Sequence, residues 1–171
     1  MDFALSDEEI MIRDAARRIA AEKLAPAAEL LDRGEGREAL LENLGLLAEN
    51  GFAALNVKAE YGGSEAGTVA FALAIEELGH ACASTAVSTS VTNMVGEVIQ
   101  AVGSPEQKAT YLPRLADGTY KAGSFCLTES GAGSDPSRMK KLAMAVFGID
   151  DAGKTDHEVA LEGIQALRQF W

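Results

Sequence analysis

A chain of 171 residues with a formal net charge of −11 has the size of one domain and the wrong sign for a general nucleic-acid or anionic-membrane surface. Its 47% hydrophobic and 24% charged residues exclude whole-chain disorder, and an Ala-, Leu- and Glu-rich composition with only 6% aromatics leans towards helix. Cys82 and Cys126 are the only cysteines and share no CxxC spacing, which predicts reduced thiols and a cytoplasmic location. The opening MDFALSDEE lacks the basic and apolar regions of a secretory signal. The longest strongly apolar run, Val69 to Ile75, is far short of the ~20 residues that cross a bilayer.

Ser6 followed by Glu9 is a capping box, in which hydroxyl and carboxylate satisfy amides that a first helical turn leaves unpaired. Ile12, Ala15, Ala16 and Ile19 then recur on one face, opposite Arg13, Arg17 and Arg18. Pro26 is expected to end or kink this helix near residue 25. Gly34 to Gly36 reads as a loop, and Arg37 to Asn50 as a second helix with Leu40, Leu44 and Leu47 as its stripe. Gly51 stands where a left-handed C-terminal residue is needed. Tyr61-Gly62-Gly63 is a turn, because paired glycines cost too much backbone entropy inside an element.

Gly67 to Cys82 is too rich in Ala and Leu for a strand and reads as a buried helix. Ser88 to Val102 reads as another, with Val91, Val95, Val98 and Val102 at helical spacing. Ser104-Pro105-Glu106-Gln107 starts a further helix, which should end near Gly118. Thr119 to Thr128 is the one expected strand. Beyond Pro136, the stripe Met139, Leu142, Ala143 and Val146 predicts a helix. After a Gly-Asp loop, a capping box at Thr155 and Glu158 precedes a second stripe of Ala160, Ile164, Leu167 and Trp171. The expected fold is mainly α: a helical domain over 1–136 ending in one short strand, then a helix–loop–helix tail over 137–171.

The chemically informative stretch is Phe125 to Asp135, FCLTESGAGSD. Small residues directly after a strand bare the backbone amides to a planar or phosphorylated ligand, and Thr128 and Ser134 add hydroxyls. A plain strand-to-helix turn reads the same residues without a ligand. A dinucleotide fingerprint would need glycine where Pro136 stands, and no Gly-Lys-Ser/Thr triplet makes a P-loop. His157-Glu158 opens a zincin-like pattern, but Leu161 occupies the place of its second histidine. With His80 the only other histidine, no metal site is expected. Glu76, Glu77 and Glu97 lie on apolar helices as candidate carboxylates that more commonly face solvent or pair with a neighbour.

Several separate blocks carry a family resemblance. They are the opening Phe3 to Arg13, Asn50-Gly51-Phe52, Glu60-Tyr61-Gly62-Gly63 and Glu76-Glu77-Leu78-Gly79. Gly103-Ser104-Pro105-Glu106-Gln107-Lys108, Tyr111-Leu112-Pro113 and Ala116-Asp117-Gly118 follow. Last come Leu127-Thr128-Glu129 and Gly131-Ala132-Gly133-Ser134-Asp135. In order and spacing, residues 2 to about 136 resemble the N-terminal helical domain of acyl-CoA dehydrogenases. The family's usual proline after the Thr-Glu pair is replaced by Ser130, which loosens that turn slightly.

The resemblance implies FAD as hydride acceptor in the α,β-dehydrogenation of acyl-CoA thioesters, with electrons passed to an electron-transfer flavoprotein. It implies that the flavin ring lies along the strand of Phe125, Cys126, Leu127 and Thr128, with Gly133 and Ser134 bordering FAD and Ser134 also touching acyl-CoA. The family's catalytic glutamate and β-domain belong to regions that would follow this chain. The resemblance therefore implies a partial cofactor site, no catalytic residue here, an inactive isolated chain, and a homo-oligomer or self-association through exposed apolar surface. Met139 to Trp171 is similar instead to a helical stretch of iron-containing alcohol dehydrogenases, without that family's metal ligands, which suggests a fused, rearranged or artificially joined chain. A non-catalytic helical binding or scaffold module is the alternative reading, and flavin colour on purification separates the two.

Overall fold

A computed structural model describes residues 4–126 and 143–145. The fold is mainly α. Helix α1 (Asp7–Ile19) begins with the expected capping box: Ser6 Oγ accepts the Glu9 amide at 3.2 Å while Glu9 Oε2 accepts the Ser6 amide at 2.7 Å. Pro26 acts upstream of itself. Residues Ala20–Leu24 widen into a π turn, in which the Ala25 amide reaches back to the Ala20 carbonyl, and Ala25–Ala27 tighten into a 3₁₀ turn. Helix α2 (Ala28–Asp32) follows.

Helix α3 (Arg37–Glu49) ends at Asn50, and Gly51 takes the left-handed conformation at φ 81°. Short 3₁₀ turns at Phe52–Ala54 and Ala59–Tyr61 lead through Gly62, also left-handed at φ 87°, towards helix α4 (Gly67–Ala81). Helix α5 (Ala83–Val102) starts five residues earlier than the sequence predicts. One extended residue, Cys82 at φ −155° and ψ 101°, separates it from α4. Cys82 accepts the Ala86 amide through its carbonyl at 3.0 Å, and its sulfur meets Thr85 Oγ1 at 3.2 Å. The Cys82 side chain makes no capping bond to the first amides of α5, so the helix starts on the chain reversal at this one extended residue.

Helix α6 (Pro105–Ala116) repeats the capping box, with Ser104 Oγ accepting the Gln107 amide at 3.3 Å and Gln107 Oε1 accepting the Ser104 amide at 2.7 Å. The strand expected from Thr119 starts later, because residues after α6 have given their amides elsewhere. Thr119 donates to Asp117 Oδ1 at 2.7 Å, Tyr120 to the Arg114 carbonyl at 2.8 Å, and Gly123 to Thr92 Oγ1 at 2.9 Å. Among the described residues of that stretch, Ser124–Cys126 forms strand β1.

That ladder corrects the tail. Residues Ala143–Ala145, expected on a helix with Met139, Leu142 and Val146, are strand β2, antiparallel to β1 with Phe125 opposite Met144. Pairing with β1 satisfies backbone groups at a cost that local helix propensity, a weak prior, does not match. The rest of the predicted helix–loop–helix over 137–171, including its capping box at Thr155 and Glu158, lies outside the described residues.

Two apolar clusters hold the helices. The first joins Ala16, Ala20 and Leu24 to Leu47, Phe52, Leu55, Ala74, Leu78 and Ala86, and α1 packs chiefly on α4. The second joins Ala54, Val57, Val95, Ile99, Leu112 and Leu115, with Val91, Tyr120 and Phe125 packed against it.

The buried face of α5 differs from the valine stripe read in the sequence. It carries Thr85, Ala86, Thr89, Thr92, Asn93, Val95, Gly96 and Ile99, while Val102 is 77% exposed. Hydroxyls make this possible. Thr89 donates to the Thr85 carbonyl at 2.8 Å and Thr92 to the Ser88 carbonyl at 2.7 Å, so each enters the core already bonded. Gly96 lets the loop below come close, since a Cβ there would sit 2.9 Å from Val57 Cγ2.

Candidate functional site

The stretch that the sequence singles out is entered through β1, and α5 positions that entry. Thr92 Oγ1 holds the Gly123 amide, and a Cβ on Gly123 would stand 2.9–3.2 Å from the side-chain carbons of Val95. Backbone and helix are thus in direct apposition just before Phe125. Phe125 itself is half-buried against the second cluster. For Cys126 the backbone is described, opposite Ala143 in the ladder. Leu127, Thr128, Gly133 and Ser134 lie outside the described residues, as does the resemblance over 139–171 apart from 143–145.

A groove of about 270 Å³ runs between α4 and α5, lined by Ile75, Gly79, Ala83, Ala86, Val87, Ser90 and Val91. Ser90 is its one polar side chain. Val91 belongs both to the groove and to the layer that packs, with Phe125, on the second cluster. The groove has no signature in the sequence beyond alternating small and branched residues at the α4–α5 junction, which read there simply as helix interior.

The candidate carboxylates lie elsewhere. Glu77 is held by Arg17, whose Nε and Nη2 donate to its two oxygens at 3.0 and 2.6 Å. That hydrogen bonding holds the Glu77 carboxyl below its ordinary value, against the opposing effect of its partial burial. Glu97 accepts from Asn56 Nδ2 at 2.6 Å, and Glu76 is exposed. All three therefore take the bland role. His80 is exposed on the last turn of α4. Among the described residues no carboxylate lines the α4–α5 groove, and no helix is long and apolar enough to cross a membrane.

A third function of α5 is to pin the loop that follows α3. Asn93 Oδ1 accepts the Leu55 amide at 2.7 Å, and its Nδ2 donates to the Phe52 carbonyl at 2.8 Å. One helical turn and two turns further on, Glu97 and Gln100 continue the same seam through Asn56 and the Lys58 amide. The sequence displays these three residues as isolated polar positions, with no local pattern that announces their partners.

Residues 6–119 match the profile of the acyl-CoA dehydrogenase N-terminal domain. The chain belongs to the acyl-CoA dehydrogenase family. Similar curated relatives include the acryloyl-CoA reductase (NADH) of Anaerotignum propionicum, 39% identical over 144 residues, covering 84% of this chain and 36% of the relative. The mitochondrial short/branched chain specific acyl-CoA dehydrogenase of Rattus norvegicus is 39% identical over 140 residues, covering 81% of this chain and 31% of its own length. Among solved structures, an acyl-CoA dehydrogenase complexed with FAD from Bacillus anthracis superposes with a TM-score of 0.69 at 30% identity, covering 80% of this chain and 23% of that one. This acyl-CoA dehydrogenase domain thus spans about a third of the length of the curated relatives it matches.

Proposed function

We propose that this chain forms the helical wall of a flavoenzyme site that introduces an α,β double bond into acyl-CoA thioesters. The observation that carries the reading is the apolar α4–α5 groove, whose lining residue Val91 packs, as Phe125 of β1 does, on the second cluster. A groove with one hydroxyl and no charge suits an acyl chain and repels anything that must stay hydrated.

What the described residues offer also fits FAD. The β1–β2 ladder is two-stranded, and no other described strand lies on the second edge of β1. Peptide groups on such an edge point away from the partner strand and are free to meet the rim of a flat heteroaromatic ring. In this reading Phe125, Cys126, Leu127 and Thr128 hold the ring, the last through its hydroxyl. Gly133 and Ser134 then border the cofactor and the thioester. When bound, FAD supplies the hydride acceptor. The chain's own residues bind, orient and exclude water. Since no described carboxylate faces the groove, proton abstraction requires a group from outside it. We further propose acyl-CoA and an electron-transfer flavoprotein as partners and a cytoplasmic location.

The test is to replace the equivalent segment of a full-length acyl-CoA dehydrogenase with residues 4–134 of this chain. The hybrid is expected to purify yellow and to oxidise acyl-CoA with an artificial electron acceptor, and Thr128→Val is expected to weaken or shift its flavin absorption. The 171-residue chain alone is expected to hold FAD weakly and to show no turnover. A folded hybrid that holds no flavin would overturn the reading and favour a helical scaffold. Tight flavin binding with turnover by the chain alone would overturn its inactivity.

A further inference from the structure

Between α6 and β1 the amides of Thr119 and Tyr120 go to the end of α6 itself, on Asp117 Oδ1 and the Arg114 carbonyl. Gly123 gives its amide to another helix, at Thr92 Oγ1. That oxygen has little freedom. Thr92 is 1% exposed, and its proton is committed to the Ser88 carbonyl at 2.7 Å, which holds the rotamer of a β-branched side chain. The remaining lone pairs therefore face one way, and the Gly123 amide meets them at 2.9 Å. Val95, one turn on, limits the opposite movement, because a Cβ at position 123 would stand 2.9–3.2 Å from its side-chain carbons. The hydroxyl keeps the strand from leaving α5, and Val95 keeps it from coming closer. Phe125, two residues on, packs on the cluster to which Val95 belongs.

We infer, on the flavin placement proposed above, that Thr92 is a positioning residue for the cofactor. Its hydroxyl sets the height of β1 over α5, and with it the place where the peptide groups of Phe125 and Cys126 meet the ring. Thr92 touches neither flavin nor substrate in this role and acts through Gly123. Hydrogen bonds weaken steeply with misalignment, so a displaced strand edge loses its hold on the ring at every peptide together. Peptide dipoles fixed around a dry ring also favour its electron-rich reduced form, and a strand out of place makes a weaker hydride acceptor. Valine at 92 keeps the shape and removes the acceptor. The buried Gly123 amide must then find water or another carbonyl, and the strand moves with it.

The flavin-loaded hybrid enzyme tests this with three variants. Thr92→Val is expected to shift the flavin absorption, to lower its reduction potential, and to lower kcat roughly tenfold or more with KM little changed. Thr92→Ser keeps the oxygen and should restore all three. Leu78→Val loosens the first cluster, to which Phe125 does not belong, and should leave absorption and potential at the parent values, which separates positioning from lost stability. In the 171-residue chain without flavin, the Gly123 amide should exchange roughly tenfold or more faster in Thr92→Val and return to the parent rate in Thr92→Ser. Parent absorption and potential in flavin-loaded Thr92→Val, failure of Thr92→Ser to restore them, or an equal shift in Leu78→Val would overturn the inference and leave the proposed function standing. A parent hybrid that holds no flavin would overturn both.

Discussion

Thr92 Oγ1 accepts the amide of Gly123 at 2.9 Å while its own proton goes to the Ser88 carbonyl at 2.7 Å. One hydroxyl thus joins the chain entering β1 to the middle of a helix thirty-one residues earlier. Thr92→Val keeps the shape and removes both roles, leaving the buried Gly123 amide without its acceptor. We expect a loss of about 1–3 kcal/mol in urea denaturation, with faster exchange at residues 122–126. Full retention of stability would mean that water or a shifted backbone replaces the hydroxyl.

Gly123→Ala probes the same junction sterically. The added methyl would meet the β-branched Val95 side chain at 2.9–3.2 Å, which cannot swing away without leaving the second cluster. We expect a cost of about 1–3 kcal/mol, relieved in the double variant Gly123→Ala/Val95→Ala relative to the sum of the single changes. Strict additivity would show that the two residues do not touch.

Asn93→Leu should be the most damaging polar substitution. It strands the Leu55 amide and the Phe52 carbonyl, both of which the side chain now satisfies from within the core. About 3 kcal/mol is expected from the denaturation midpoint. Ser104→Ala, which removes only an N-terminal cap, should cost about 1 kcal/mol by the same measurement. A reversed order would mean that the loop after α3 is held by apolar contact alone.

The Arg17–Glu77 pair predicts a pH dependence. Hydrogen bonding from Arg17 lowers the Glu77 carboxyl below its ordinary value of 4.5, so the folded state favours the ionised form. Its contribution is complete above that value and is lost as pH falls through the lowered one. Because Arg17 is largely exposed the effect is small. Glu77→Gln should lower the melting temperature slightly at neutral pH and converge with the parent in acid. A difference that persists unchanged below the ordinary value would point to packing in place of charge.

Several elements were legible in the sequence because their causes are local. Both described capping boxes, the turn at Gly51 and the disruption before Pro26 each depend on residues within one turn of chain. Much of the candidate site was not. The roles of Asn93, Glu97 and Gln100 rest on partners some forty residues away. The threonine face of α5 was misread because hydroxyls that bond their own helix's carbonyls can enter a core already satisfied. At 143–145 helix propensity lost to a strand partner that no local pattern reveals.

Cys82 is the whole connection between α4 and α5, and that brevity sets the rotational phase of everything after it. Each residue added within the first turns of α5 would turn the downstream helix by about 100°. Such an insertion would swing Thr89, Thr92 and Asn93 out of register with the loop and strand they hold. Insertions near Gly34 meet no such constraint, for nothing stands within 4 Å of a side chain placed there. An inserted residue is therefore expected to cost less stability near Gly34 than between Cys82 and Gly123, a comparison that urea denaturation of the two insertion variants checks.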